Sequence, residues 1–174
     1  MHSMIFLISN SFQILSCSST TSSMQMYNFD GVMEKLEIAI INGPNLNLLG
    51  KREPEIYGSK SFEQYLKELK LQYPNVTIYY FQSNIEGELI DQIQKVGFEN
   101  KAIILNAGGY THTSVAIADA VAAIPAKVIE VHISQPAARE EQRHTSLLSK
   151  YAHGSISGLG LYSYKAAIDY LLQN

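Results

Sequence analysis

Three segments of the chain place polar side chains that can exchange protons at the end of an apolar run or directly after it. The first, NGPNLNLLGKREPEIYG at residues 42–58, contains Asn45, Arg52 and Tyr57. The residues of interest in the second segment are Asn106, Gly108, Gly109 and His112. Those of the third are Glu130, His132, Ile133, Ser134, Arg139 and Arg143. A phenol, two imidazoles and several guanidinium groups can together remove one proton, deliver another and hold an anion.

Tyr57 is the candidate general base in the first segment. A phenol has a pKa near 10, so its ionisation at pH 7 costs about 4 kcal/mol unless the surroundings lower that pKa. Nearby cations favour the phenolate. Arg52 precedes Tyr57 in the same loop, and Arg139 follows a different apolar run. We therefore expect these two arginines to activate Tyr57.

His132 is the candidate general acid, and Glu130 is near enough in the chain to influence its tautomer and orientation. Asn45 can donate a hydrogen bond to a developing enolate or hold a catalytic water. The backbone N–H groups of Ile133 and Ser134, where we expect a helix to begin, suit a carboxylate. A base and an acid with opposed roles predict a lyase that acts on a small anion.

Five apolar or β-branched runs predict the strands that carry these groups, at residues 36–41, 75–81, 101–106, 126–133 and 154–158. Helical patterns alternate with them. Ser61 and Gln64 have the spacing of a capping box, and further helices are predicted at residues 84–96, 111–124 and 161–173. A short helix is expected within residues 135–144, and the tyrosines Tyr162, Tyr164 and Tyr170 suggest packing or a subunit contact.

The alternation of strands and helices predicts an α/β fold, with a doubly wound parallel sheet and helices on both faces. Five strands in about 140 residues favour the flavodoxin-like order 2-1-3-4-5. Ligands of such folds bind outside the carboxyl ends of the strands. The three polar segments are therefore expected to meet at one edge of the sheet.

Several other uses of this fold do not fit the sequence. Residues 42–58 are too long and proline-containing for an FMN phosphate loop, and Asn42 and Asn106 stand where a receiver domain needs acidic residues. GLGLYS lacks the third glycine of a nicotinamide-binding loop. GSISG has isoleucine where a nucleophilic serine would be required. His112 and His132 lack further ligands at metal-binding spacing, so no metal is expected.

The bulk composition narrows the class of protein. The chain has 174 residues and a net charge of −3, with 13 basic and 16 acidic residues, which argues against nucleic-acid binding. A single cysteine excludes a disulfide framework. No apolar run approaches the roughly 18 residues that span a membrane. These features predict one cytoplasmic domain at residues 35–174.

Residues 1–34 differ in composition from the rest of the chain. They are rich in serine and threonine, and the first lysine or arginine is Lys35. We expect this segment to be an extension outside the fold, either disordered or translated upstream of a true start at Met33.

Four motifs together closely resemble type II 3-dehydroquinate dehydratase: NGPNLNLLGKREPEIYG, ILNAGGYTHTSVAIADA, IEVHIS and AREEQRH. The resemblance runs in order from about Leu36 to the C-terminus. It implies a reaction without a cofactor, in which 3-dehydroquinate loses water by anti elimination through an enolate to give 3-dehydroshikimate. This reaction belongs to the shikimate pathway of aromatic amino acid biosynthesis.

The resemblance also implies roles for single residues. Tyr57 would take the proton alpha to the ketone, and His132 would protonate the departing hydroxyl. Asn45 would stabilise the enolate, while Arg52, on a mobile lid, and Arg139 would activate the tyrosine. The residues implied to bind substrate are Asn106, His112, Ile133, Ser134 and Arg143.

The family assembles as a dodecamer built from trimers, and Asp119 matches an acid that reaches the site of a neighbouring subunit. The sequence departs from the family pattern in its N-terminal extension and at Gln142, where phenylalanine is common and whose packing could shift Arg143. A catalytically inactive flavodoxin-like binding or scaffold protein is the alternative, although no catalytic position is replaced.

Overall fold

A computed structural model describes residues 35–50, 60–99 and 101–174. It contains one parallel sheet of five strands in the order 2-1-3-4-5, which confirms the predicted fold class and topology. The strands are β1 (Leu36–Asn42), β2 (Val76–Gln82), β3 (Ala102–Asn106), β4 (Val128–His132) and β5 (Gly154–Ser157). The α-helices are α1 (Phe62–Gln72), α2 (Glu86–Phe98), α3 (Val115–Ala123) and α4 (Tyr162–Gln173).

Side chains of the central strands alternate between two apolar cores, one on each face of the sheet. Ile38 and Ile40 of β1 belong to the core that includes α1 and α4. Ala39 and Ile41 point the other way, into the core that includes α2 and α3. Burial on both faces is the physical reason for the continuous apolar runs in the sequence.

Helix α1 begins as its sequence predicts. The Ser61 hydroxyl accepts a hydrogen bond from the Gln64 backbone N–H, and the Gln64 side chain accepts one from the Ser61 N–H. This capping box satisfies backbone donors that the first helical turn leaves without partners. Phe62 and Leu69 are buried, with Tyr65 and Leu66 packed against the same core.

The helices that border the site start later than the sequence predicts. Helix α3 begins at Val115 because the Ser114 hydroxyl caps it, accepting from the Ile117 N–H at 2.9 Å. The preceding residues Gly108–His112 form a 3-10 turn. The helix expected at Ile133 is also absent there, since a 3-10 turn begins at Pro136 instead.

The segment after β4 forms two 3-10 turns, Pro136–Ala138 and Glu141–Arg143, where one short helix was expected. Among the residues that the structure describes, no helix is long and apolar enough to cross a membrane. The expectations for residues 1–34 lie outside the described residues.

Two glycines of α2 provide a matched test of packing between the two helices on one face. A Cβ at Gly97 would lie 2.5 Å from the Ile124 Cδ1 atom, whereas a Cβ at Gly87 would meet nothing within 4 Å. Gly97→Ala should lower the free energy of unfolding by about 1–3 kcal/mol through overpacking. Gly87→Ala should raise it by roughly 0.5–1 kcal/mol, because alanine restricts the unfolded chain.

Denaturant unfolding of both variants measures the difference. Equal effects of the two substitutions would contradict the close contact between Gly97 and Ile124.

Candidate active site

A cavity of about 200 Å³ opens at the carboxyl ends of β1, β3 and β4. This is the edge of the sheet at which the sequence places its polar segments. The lining residues are Pro44, Asn45, Leu46, Leu48, Leu49, Asn106, Gly108, Gly109, His112, His132, Ile133, Ser134, Pro136, Arg139 and Arg143. One wall is therefore apolar and the opposite walls are polar.

Asn45 enters the cavity from the loop after β1. Its backbone is left-handed, with φ 67° and ψ −3°, a conformation that asparagine adopts more readily than most residues. The Asn45 N–H donates to the Asn84 side-chain oxygen at 3.0 Å, which holds this turn in place. The 3-10 turn Leu46–Leu48 follows directly and adds Leu46 and Leu48 to the apolar wall.

The loops after β1 and β3 touch through their backbones. The Gly43 N–H donates to the Asn106 carbonyl at 2.7 Å. A Cβ at Gly43 would lie 2.5 Å from the Ala107 carbonyl oxygen, so no other residue fits there without a backbone shift. Gly108, with φ +59°, approaches Pro44 in the same way. This contact sets the spacing between Asn45 and the residues that follow β3.

His132 is hydrogen-bonded to the buried Glu130 at the end of β4. Its Nε2 lies 2.7 Å from the Glu130 Oε1 atom, and Glu130 is 1% exposed. The Ser146 hydroxyl donates to the same oxygen at 2.7 Å, and the Ser155 hydroxyl donates to Oε2 at 2.9 Å. Three donors thus meet one carboxylate, and such hydrogen bonds stabilise its ionised form.

Two opposing effects set the pKa of Glu130. Burial raises it, but the hydrogen bonds from His132, Ser146 and Ser155 together outweigh burial and hold the pKa below its ordinary value. The carboxylate is therefore charged at neutral pH. This charge faces the His132 imidazole across a hydrogen bond of 2.7 Å.

His112 lies opposite His132, with the two rings stacked at 6.1 Å between centroids. The His112 Nδ1 atom is 2.8 Å from the Thr145 carbonyl oxygen. A carbonyl only accepts, so Nδ1 carries the proton and donates, which leaves Nε2 as an acceptor in the neutral ring. The two histidines of the cavity can therefore play different roles.

Arg139 and Arg143 come from the turns after β4 and both contact Glu140. The Arg143 Nε atom is 3.0 Å from the Glu140 carboxylate, and the Arg139 Nε atom is 3.6 Å from it. Gln142, the departure from the family pattern, is exposed in the same turn. The cavity therefore has a cationic side, with one neighbouring carboxylate that orients both guanidinium groups.

Most of the predicted site residues line the cavity together. Glu130 does not line it, because it is buried behind His132. Asp119 lies on the exposed side of α3, away from this chain's own cavity. Tyr57 and Arg52, and the lid expected around Arg52, lie outside the described residues.

The sequence did not point to several residues that shape the site. No role was predicted for Leu46, Leu48 and Leu49, although these residues come directly after the Asn45 turn and form an apolar wall of the cavity. Ser146 and Ser155 bond the Glu130 carboxylate from distant parts of the chain, a pairing without a local signal. Tyr164 was grouped with two other tyrosines as a packing or contact stripe.

The structure confirms packing for Tyr164, which lies in the apolar core, but the three tyrosines do not form one stripe, because they differ in environment. Tyr164 is fully buried and hydrogen-bonds Asn106, whereas Tyr162 and Tyr170 are 54% and 42% exposed. Helical geometry explains the error, since residues two apart lie on different faces of a helix.

Ser155→Ala should destabilise the protein in a pH-dependent manner. The lowered pKa of Glu130 means that its carboxylate stabilises the fold fully above the ordinary glutamate pKa and loses this effect as pH falls through the folded pKa. Removal of the Ser155 donor raises the folded pKa. We expect a loss of about 1 kcal/mol at pH 7 that shrinks toward zero in acid.

Ser157→Ala is the control. Ser157 lies in the same strand as Ser155, and its hydroxyl donates to the neutral Gln135 side chain at 2.7 Å. Its effect on the free energy of unfolding should not change with pH. Denaturant titrations at several pH values compare the two variants, and a pH-independent loss for Ser155→Ala would contradict the role assigned to it.

Comparison with known proteins agrees with this geometry. The family described as dehydroquinase class II matches residues 36–172. A 3-dehydroquinate dehydratase of Exiguobacterium is 49% identical over 140 residues, which cover 80% of this chain and 96% of that protein. Type II dehydroquinases from Propionibacterium acnes and Butyrivibrio crossotus have similar crystal structures, with TM-scores of 0.76 and 0.75 and identities of 36% and 44%. Each structural match covers 79% of this chain and 97% of the other. The resemblance of the sequence motifs is thus confirmed, and the chain belongs to the dehydroquinase class II family.

Proposed function

We propose that this protein converts 3-dehydroquinate to 3-dehydroshikimate and water by anti elimination through an enolate. The observation that carries the proposal is the hydrogen bond between the buried Glu130 and His132, which lines a cavity together with Asn45, His112 and two arginines. Such a site offers an acid, hydrogen-bond donors for an enolate and cations for a carboxylate. Family membership supplies the substrate, since curated relatives act on 3-dehydroquinate by name.

His132 acts as the general acid. Its Nε2 proton is held by Glu130, so the other ring nitrogen, Nδ1, delivers a proton to the departing hydroxyl. The Glu130 carboxylate stays ionised throughout and stabilises the imidazolium, as the aspartate of a serine-protease triad does. The fixed carboxylate also keeps the ring from rotating during the reaction.

Tyr57 acts as the base, a role that rests on the sequence motif because Tyr57 lies outside the described residues. The phenolate takes the proton alpha to the ketone, and the released electron pair forms an enolate. Asn45 donates a hydrogen bond to that oxygen. The enolate then collapses, and the hydroxyl beta to the ketone leaves as water with the proton from His132.

Arginines favour ionisation of Tyr57, so that its phenolate can form at neutral pH. Arg52 comes from the same sequence segment as Tyr57, and Arg139 lines the cavity from the turn after β4. A guanidinium beside a phenol favours ionisation. We therefore assign both arginines to activation of Tyr57.

Substrate hydroxyls and the carboxylate are held by the remaining lining groups. The neutral His112 accepts from a ring hydroxyl through Nε2, because its Nδ1 proton is directed to Thr145. Arg143 and the backbone N–H groups of Ile133 and Ser134 bind the carboxylate. Asn106, Gly108 and Gly109 form the adjoining wall, where small residues let the backbone come close to the ligand.

Activity with 3-dehydroquinate, followed by the enone absorbance of the product, tests the reaction. Tyr57→Phe and His132→Ala should each lower kcat by roughly 10²–10⁴, the usual contribution of a general base or acid. Tyr162→Phe, at an exposed tyrosine outside the cavity, should leave kcat unchanged. Because no imine with a lysine is formed, borohydride added with substrate should leave the enzyme active.

Absence of turnover by the wild-type protein would refute the proposed function and favour an inactive binding protein. Full turnover by Tyr57→Phe would instead refute the mechanism alone.

Asp119 is proposed to complete the site of a neighbouring subunit in a dodecamer of trimers, since it is exposed on α3 and does not line its own chain's cavity. Asp119→Ala and His132→Ala should each be nearly inactive alone. In co-expressed mixed oligomers, some sites receive His132 from one subunit and Asp119 from the next. Random assembly should restore roughly a quarter of wild-type activity.

Two differently tagged variants allow the mixed oligomers to be purified, and their mass gives the subunit number. If Asp119 acts in the neighbour's site, mixed oligomers must contain some sites in which both His132 and Asp119 are intact. Mixed oligomers without recovered activity would therefore place Asp119 outside the neighbour's site.

A further inference from the structure

A buried hydrogen-bond chain connects helix α4 to the wall of the cavity. The Asn106 Nδ2 atom donates to the Tyr164 hydroxyl at 2.8 Å, and that hydroxyl donates to the Asn42 Oδ1 atom at 2.9 Å. Asn42 and Asn106 are register partners at the ends of β1 and β3. All three side chains are buried, with exposures of 0–3%, yet only Asn106 lines the cavity.

The direction of the bond between Asn106 and Tyr164 is determined. Asn106 also accepts from the Gly108 N–H through Oδ1 at 3.2 Å. A reversed carboxamide would place the Nδ2 donor against the Gly108 N–H donor. The Asn106 amide can therefore adopt one orientation, and Tyr164 accepts from it. The Tyr164 proton is then left to donate to the Asn42 Oδ1 atom.

We propose that Tyr164 is a positioning residue: its hydroxyl fixes the Asn106 carboxamide so that the second Nδ2 proton donates to a substrate oxygen. This inference rests on the proposed function, because it assigns Asn106 a ligand in the same cavity. An amide proton held in place before binding spares the entropy of ordering it on the substrate.

Packing alone does not explain the hydroxyl group. The Tyr164 ring is held by Phe62, edge to face at 5.0 Å between centroids, and the same apolar core surrounds both rings. Phenylalanine would keep these ring contacts without the cost of burying a hydroxyl. The presence of the hydroxyl is therefore explained by its hydrogen bonds with the two asparagines.

The chain also keeps its direction over a wide pH range. Burial raises the pKa of the Tyr164 hydroxyl well above its ordinary value, and the hydrogen bond from Asn106 only partly opposes this. The hydroxyl thus stays protonated at neutral pH and can donate to the Asn42 Oδ1 atom.

Tyr164→Phe, assayed on the full-length protein with 3-dehydroquinate, tests the proposal. We expect KM to rise about tenfold while kcat changes less than about threefold, since the variant loses substrate orientation and retains the acid and base. Tyr73→Phe is the matched control. Its hydroxyl bonds Asp169 and Lys165 at the same apolar core but away from the cavity, so it should lose stability without a change in KM.

A double-mutant cycle separates action through Asn106 from a general loss of structure. Asn106→Ala should raise KM, and addition of Tyr164→Phe to it should raise KM no further. Asn42→Ala, which removes the acceptor of the Tyr164 proton, should shift KM in the same direction by a smaller factor. If Tyr164→Phe does not fold, Asn42→Ala tests the proposal in its place.

An unchanged KM in Tyr164→Phe, or multiplying effects in the cycle, would overturn the proposal. If the wild-type protein does not turn over 3-dehydroquinate, the proposed function fails, and crystal structures then decide the positioning role. A rotated or disordered Asn106 carboxamide in Tyr164→Phe supports it, and an unmoved carboxamide refutes it.

Discussion

The contact between Gly43 and the backbone at Asn106 and Ala107 is the constraint on which the site depends. Strands β1 and β3 are neighbours in the sheet, and their following loops leave it side by side. Because the hydrogen bond from Gly43 is 2.7 Å long and no Cβ fits there, the two loops have one possible spacing. Asn45 on one loop and His112 on the other therefore face the same cavity.

Electrostatics at β4 complements this steric constraint. A buried carboxylate would oppose folding if it stood alone, since desolvation of a charge is costly. Three donors from β4, β5 and the segment after Arg143 offset that cost at Glu130. The result is a charged group that is fixed within the core and meets the cavity only through its hydrogen bond to His132.

Much of the fold and most of the cavity could be predicted from the sequence because their signals are local. Continuous apolar runs located the strands, and the polar residues directly after them identified Asn45, His112 and His132. The late start of α3 was missed because the helical pattern does not decide between a start at Thr111 and one after the capping residue Ser114. Tertiary partners could not be predicted, because they are far apart in the sequence: Tyr164 hydrogen-bonds Asn42, 122 positions away, and Asn106, 58 positions away.

The left-handed backbone of Asn45 limits how this position can evolve. A positive φ is tolerated mainly by glycine, asparagine and aspartate. The backbone conformation of the turn therefore excludes most residue types at position 45, whatever the side chain does in the cavity. Only one of these three has both a neutral side chain and an N–H group to offer a developing oxyanion. Asn84 faces a different restriction: its side-chain oxygen accepts from the Asn45 N–H and so holds the turn, although Asn84 does not line the cavity. Sequence change at position 84 is thus coupled to a residue 39 positions away through a hydrogen bond to its backbone rather than through the ligand.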